Sequence, residues 1–149
     1  MNYLIAVDGS PYAEKALLTA LMLVDKEKDN VVLISCVEEL GALVRTSEGF
    51  LISTILTPVQ DLGEEGEVIL AAEQIKLAND NLTENAVKVL EEATKVCADA
   101  GVKADSIVAT GNPRDKLVDI AKERHIDMIV IGSRGLGTLS RCALISINS

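Results

Sequence analysis

Residues 3–11 read YLIAVDGSP, a stretch that contains the signals for a strand, a turn and a helix start in immediate succession. Tyr3–Val7 is a short apolar run, and the Asp-Gly pair after it is a turn signal. The Ser10 hydroxyl can cap a helix, and the fixed φ of Pro11 suits the first helical position. The stretch therefore predicts a buried strand that leads through a tight turn into a helix.

The same order of strand and helix recurs along the chain. Three further apolar runs predict buried strands, at Val31–Val37, Val102–Ala109 and Met128–Ile131. Helical spacing predicts helices from Pro11 to Val24, over Leu82–Cys97 with a start that the pattern does not define, and from Pro113 onward. Such alternation forces parallel neighbours joined by right-handed crossovers. The expected fold class is α/β, an open doubly wound parallel sheet of the nucleotide-binding, Rossmann-like type.

Residues 38–67 are the least regular part of the chain. A structureless connection of that length is uncommon inside a compact domain. Two interpretations stay open, a short helix around Phe50–Leu56 or a mobile flap. The acidic residues between positions 61 and 67 are expected to form a solvated surface rather than a metal site.

Composition narrows the function classes. The 149 residues are 48% hydrophobic, which suits one domain, residues 1–149, with a buried core. Fourteen Lys and Arg against 23 Asp and Glu give a net charge of −9, which disfavours nucleic acid. The longest nearly apolar run, Leu17–Val24, is far shorter than the roughly 20 residues of a membrane span. We expect a soluble, cytoplasmic protein whose three cysteines (Cys36, Cys97 and Cys142) are free thiols.

Two loops mark the expected binding site. In doubly wound sheets a ligand lies beyond the carboxyl ends of the strands, where the winding direction reverses. If the fourth strand returns beside the first, Asp8–Ser10 and Gly132–Gly137 meet there. Glycines let several backbone N–H groups point at one anion, and Arg134 could add a charge-assisted contact. The alternatives are that these glycines serve only tight packing and that Asp8 only caps its own turn.

Other classes of site are disfavoured by the motifs. The phosphate-binding pattern ending in GK[ST] is absent, and the first strand is not followed by G-x-G-x-x-G, which points away from NTPase motors and dehydrogenases. The single histidine, His125, falls at a predicted helix end without a nucleophile beside it, so a structural role is expected.

Three segments together resemble the universal stress protein family: Ala6–Ser10, Gly111–Pro113 and Asp127–Gly135. The resemblance implies a five-stranded α/β domain that often binds ATP and commonly forms homodimers. In the ATP-binding branch, whose pattern is G-x2-G-x9-G-[ST], the first two glycines correspond to Gly132 and Gly135.

The resemblance also implies a set of contacts to ATP. Ala6 and Val37 would border the adenine, with the Val37 backbone reading its edge, and Asp8 would face the ribose or a phosphate-bound Mg²⁺. The implied ATP-binding residues are Ala6, Val7, Asp8, Val37, Ile131, Gly132, Arg134, Gly135, Ser146 and Ile147. The last two would take the places of the family's final phosphate-binding serine and the apolar residue after it.

Two departures from the family pattern affect this expectation. Ile145 stands where the third glycine would be, and a β-branched residue resists positive φ. The resemblance further implies that the family's last helix and strand are missing, so that four of five strands remain and Met128–Ile131 becomes an exposed edge. A short helix is expected over Thr138–Leu144.

Two functions remain in competition. The first is an ATP-binding regulatory stress-response protein with little or slow hydrolysis and no dedicated catalytic base. The second is a truncated protein that does not bind nucleotide and acts by association with a full-length relative. The expected partners are accordingly ATP with Mg²⁺, and either a second copy of the chain or such a relative.

Overall fold

The computed structural model describes the backbone of residues 1–39, 42–46, 49–53, 65–132 and 142–146, and the side chains of residues 1–39, 74–132 and Ser146. The elements in chain order are β1 (Asn2–Ala6), α1 (Pro11–Leu23), β2 (Asn30–Val37), β3 (Ala42–Thr46), β4 (Gly49–Ser53), α2 (Glu65–Asp99), β5 (Ala104–Thr110), α3 (Pro113–Glu123), β6 (Met128–Gly132) and β7 (Cys142–Ser146).

The main sheet confirms the predicted α/β class. Its strand order is β5-β2-β1-β6-β7, and the pairs β5–β2, β2–β1 and β1–β6 are all parallel. The chain therefore moves outward from β1 through β2 to β5 and then returns to β6 on the other side of β1. The winding direction reverses between β1 and β6, which is the condition on which the expected binding site depended.

Both faces of the sheet are covered, which explains why its central strands are almost continuously apolar. On one face, Ile5 and Leu33 pack in a cluster with residues of α1 and α2. On the other, Leu4 and Ile34 pack with α3 and the segment after it. These four side chains are fully buried, and successive residues of one strand therefore serve opposite layers.

Two helices begin as predicted. At α1, the Ser10 hydroxyl accepts a hydrogen bond from the Ala13 N–H at 3.2 Å. At α3, the Asn112 side-chain oxygen accepts from the N–H groups of Arg114 at 3.0 Å and Asp115 at 3.4 Å. These bonds satisfy backbone donors that the first turn of a helix leaves open. Among the described helices, none is both long and apolar enough to cross a bilayer.

The irregular segment differs from its prediction. Strands β3 and β4 pair antiparallel, with Val44 opposite Leu51. The short helix expected around Phe50–Leu56 is therefore wrong over residues 50–53, and residues 54–56 lie outside the described part. A short apolar run does not distinguish helix from strand by its pattern alone. Here the partner strand supplies the backbone hydrogen bonds that decide between them.

The chain's last described segment also differs from the prediction. Cys142–Ser146 is a strand that pairs antiparallel with β6, where a helix was expected over Thr138–Leu144. The prediction is thus wrong over residues 142–144. The expectation that Met128–Ile131 forms an exposed edge is wrong as well, because β7 satisfies the backbone groups on that side of β6. The four predicted parallel strands are all present, with this fifth, antiparallel strand added.

Candidate functional site

A cavity of about 670 Å³ opens at the carboxyl ends of β1, β2 and β6, at the point where the winding reverses. Pockets for small ligands usually measure about 300–1,000 Å³, so its size suits a cofactor-sized molecule. Residues of α2 and α3, and Ala13 of α1, complete its wall. The lining residues are Ala6, Val7, Asp8, Ala13, Ile34, Ser35, Cys36, Val37, Glu38, Leu82, Asn85, Ala86, Val89, Pro113, Leu117, Ile131 and Gly132.

Six of the predicted site residues line this one cavity. They are Ala6, Val7, Asp8, Val37, Ile131 and Gly132. The loop after β1 and the end of β6 thus meet at one edge of the sheet, because parallel neighbours place their carboxyl ends together. Arg134, Gly135 and Ile147 lie outside the described residues.

Ser146 does not lie with this group. It is an exposed residue at the end of β7, opposite Met128, whereas Cys142 is opposite Gly132. Because β7 runs antiparallel to β6, Ser146 sits four residues back along β6 from the cavity, roughly 13 Å at strand rise. Ile145 is likewise held in the ladder, opposite Ile129.

Asp8 stands at the mouth of the cavity and shapes its own turn. Its Oδ1 accepts a hydrogen bond from the Ser10 N–H at 2.9 Å. Gly9, between them, adopts a φ of +80°, a conformation that favours glycine. The capping role weighed for Asp8 from the sequence is therefore present. This hydrogen bond engages Oδ1, and the exposed side chain also lines the cavity.

Gly132 has a packing role at the junction of β6 and α1. A Cβ on this residue would stand 2.6 Å from the backbone carbon and oxygen of Tyr12 and 2.7 Å from the Ala13 nitrogen. No side chain fits at such distances, since carbon atoms prefer separations of about 3.5–4.0 Å. The structure thus supports the tight-packing interpretation for Gly132, and this close approach brings the end of β6 to the rim of the cavity.

Sequence reasoning overlooked the carboxyl end of β2. Ser35, Cys36 and Glu38 line the cavity beside Val37. The rule that locates ligands beyond strand ends applies to β2 as much as to β1. A serine inside an otherwise apolar run was the available signal. Val37 has a further feature, since its carbonyl accepts from the Gly111 N–H at 2.9 Å, which occupies one of its two lone pairs.

The charged residues of the described lining are both acidic, Asp8 and Glu38. The pKa of the Cys36 thiol is raised, first by burial and then by the negative charge of Glu38, against a smaller lowering by Lys116. Cys36 is therefore a protonated thiol at neutral pH. The carboxylates suit hydroxyl and amine donors on a ligand, and a phosphate would be favoured away from them.

Two other predicted features fall outside the cavity. His125 is exposed after the end of α3, with a φ of 51°, and its carbonyl accepts from the Asn2 side chain at 2.9 Å. Cys97 is a fully buried free thiol, and Cys36 is also free, as predicted. The side chain of Cys142 is not described. Within the described residues, no group of three His, Cys, Asp or Glu side chains could hold a metal ion.

Comparison with known proteins identifies relatives along the whole chain. The model of the universal stress protein family matches residues 1–149. Universal stress protein YxiE of Bacillus subtilis is 29% identical over 145 residues, which are 97% of this chain and 86% of YxiE.

Solved structures share the fold. An Arabidopsis thaliana universal stress protein with AMP bound has a TM-score of 0.56 at 18% identity, covering 93% of this chain and 80% of that one. A universal stress protein in complex with cAMP has a TM-score of 0.58 at 19% identity, covering 94% and 81%.

Proposed function

The chain belongs to the universal stress protein family, and we propose that it is a regulatory stress-response protein that binds an adenine nucleotide, ATP in the first place, in the cavity at the carboxyl ends of β1, β2 and β6. The observation that carries the proposal is the convergence on one cavity of about 670 Å³ of six of the contact residues that the family resemblance implies. They come from three different strands and the turn after β1, so their meeting depends on the tertiary fold.

The residues of the cavity wall suit a ligand that has a planar ring and a polar part joined to it. Ala6, Ile34 and Val37 offer aliphatic surface at the strand ends, and Asp8 and Glu38 stand exposed at the mouth. An adenine ring would rest on the aliphatic surface. Asp8, whose exposed side chain lines the cavity, would accept from a ribose hydroxyl or hold a Mg²⁺ carried by the phosphates.

The phosphates would lie towards the segment after Gly132. In the sequence, that segment contains Arg134 and Gly135, which the family resemblance assigns to the phosphates. Related proteins hold AMP and cAMP, which makes an adenine nucleotide the ligand class to test first.

Calorimetric titration with Mg-ATP and with AMP tests the proposal. We expect saturable binding in the micromolar to millimolar range, and a loss of affinity in Asp8→Asn, because asparagine keeps the turn-forming oxygen and removes the charge. Asp105→Asn is the matched control, since Asp105 is an exposed aspartate on β5 outside the cavity. No heat for either nucleotide up to millimolar concentration would refute the proposal.

An unpaired strand edge favours a second candidate function. Strand β7 ends the described sheet, with β6 on one side only. Such an edge can pair with another chain, which would give a homo-oligomer or a complex with a relative. Sedimentation of the purified protein with and without ATP distinguishes the two candidates. A monomer at every concentration that still responds to ATP would leave only the first.

A further inference from the structure

Ser35 is a buried serine whose hydroxyl has no hydrogen-bond partner among the residues that the structure describes. It lies in β2 and is only 4% exposed. None of the described residues donates a hydrogen bond to its Oγ or accepts one from it. Every fully enclosed side-chain oxygen or nitrogen of the described residues does have a partner, so Ser35 Oγ retains a small opening. Ser35 lines the 670 Å³ cavity, which is where that opening can lead.

This arrangement calls for an explanation, because buried polar groups in proteins are nearly always paired. The rest of β2 is apolar where it is buried, as at Leu33 and Ile34. An alanine would fill the same place without leaving a hydroxyl unpaired. A hydroxyl at this position therefore indicates a partner other than the described residues of the protein.

The position of Ser35 indicates which part of a ligand it would meet. In the strand register Ala6 is beside Ile34, and Ser35 is the next residue along β2. Because successive residues of a strand face opposite layers, Ser35 faces the same layer as Leu33, and it meets the cavity on the side that α2 lines with Ala86 and Val89. It is only 4% exposed, whereas Asp8 and Glu38 are exposed at the mouth of the cavity. A nucleotide buries its flat base and leaves its sugar and phosphates near water. The hydroxyl is consequently at the depth of the base.

We propose that the Ser35 hydroxyl forms a hydrogen bond with a ring nitrogen or the exocyclic amine of the bound purine, and so selects a nitrogen-rich base over an apolar ring of the same shape. The inference rests on the proposed function and goes beyond it by naming a specificity-determining residue. A hydroxyl can donate and accept, so either kind of purine atom can satisfy it.

The first experiment measures AMP affinity of Ser35→Ala by calorimetry. We expect a loss of about threefold to tenfold, the value of one net hydrogen bond. Ser106→Ala is the matched control: Ser106 is an exposed serine on the neighbouring strand β5, outside this cavity, and its variant is expected to bind like the parent. Without ligand, the thermal midpoint of Ser35→Ala should stay at or slightly above that of the parent, because no protein hydrogen bond is removed.

The second experiment identifies the atom on the ligand. The affinity of AMP is compared with that of purine riboside monophosphate, which lacks the exocyclic amine, and with those of 1-deaza-AMP, 3-deaza-AMP and 7-deaza-AMP. Each affinity is measured on the parent protein and on Ser35→Ala. We expect one analogue to bind more weakly than AMP to the parent and equally to the variant, which is the signature of a pairwise contact.

Four other results would overturn the inference, each for a different reason. Equal AMP affinity of parent and variant shows that the hydroxyl is not in contact with the ligand, and leaves the proposed function intact. An equal loss for AMP and every analogue places the contact outside the base. A lower thermal midpoint of the unliganded variant reveals a structural partner. Absence of nucleotide binding to the parent removes the proposed function and the inference together.

Discussion

Replacing Gly132 by alanine should separate the packing role of this glycine from a role in ligand binding. Gly132 ends β6 directly against the first turn of α1, where a Cβ would stand 2.6 Å from two backbone atoms of Tyr12 and 2.7 Å from the Ala13 nitrogen. These are backbone atoms, which cannot rotate aside as a flexible side chain would. The first turn of α1 or the end of β6 must therefore move.

The magnitude follows from the cost of overpacking, which is about 1–3 kcal/mol per inserted group. Because both neighbours are backbone, we expect the upper half of that range, about 2–3 kcal/mol lost from the free energy of unfolding. For a chain of this size, 1 kcal/mol corresponds to about 2–4 °C, so the thermal midpoint should fall by about 4–12 °C.

Urea unfolding and amide hydrogen exchange measure the effect and locate it. Exchange in the first turn of α1 should become faster in Gly132→Ala, because that turn is displaced. Gly101→Ala is the comparison: its φ is +76° and the nearest atom to a new Cβ is Lys26 Nζ at 3.6 Å. Its cost is about 1–2 kcal/mol from the left-handed backbone alone, with α1 unaffected. A free energy of unfolding of Gly132→Ala within about 0.5 kcal/mol of the parent value would refute the packing argument.

Further predictions concern the helix cap, the N-terminus and the thiols. Ser10→Ala should lower the free energy of unfolding by about 1 kcal/mol, because a first-turn N–H loses its acceptor; an unchanged urea midpoint would contradict this. The Met1 amine lies 2.7 Å from the Asp29 carboxylate, a hydrogen bond that raises the pKa of the amine and lowers that of Asp29. Stability from this pair is therefore complete between the ordinary pKa values of the two groups. It is lost as pH falls through the lowered pKa of Asp29 or rises through the raised pKa of the amine. Asp29→Asn should bring the amine pKa, read from the pH dependence of its acetylation rate, back towards its usual value, and no change would exclude the contact in solution. Burial raises the pKa of both Cys36 and Cys97. Alkylation mapped by mass spectrometry should be slow at both, faster at the half-buried Cys36, and slowed there by nucleotide; modification of Cys97 first would be inconsistent with the fold.

Local sequence signals were enough to predict the strand and the helix that flank the first turn of the chain. The run Tyr3–Val7 and the cap at Ser10 predict a strand and a helix that the structure contains, with bounds shifted by a residue. The order of strands and helices also leaves few arrangements of the sheet, because crossovers are right-handed, and the reversal of winding between the first strand and Met128–Ile131 is one of them. In that arrangement, a ligand is expected at the carboxyl ends of these two strands.

The predictions that were wrong, or that the structure places elsewhere, concern pairing between distant segments. Nothing local to Cys142–Ser146 shows that it will lie antiparallel to β6, and this pairing alone carries Ser146 away from the cavity. The hairpin of β3 and β4 is of the same kind, since a short apolar segment becomes a strand when a partner is available.

The sequence by itself determined where strands end, which helices are capped and which face of each element is apolar, because these depend on neighbours a few residues away. Only the tertiary structure decided which of those ends share a cavity, that Gly132 touches the backbone of α1, and that the Ser35 hydroxyl is buried without a partner among the described residues. The reason is physical. Close packing and hydrogen-bond satisfaction depend on atoms brought together from distant parts of the chain. A local sequence pattern does not specify which distant residues will come into contact.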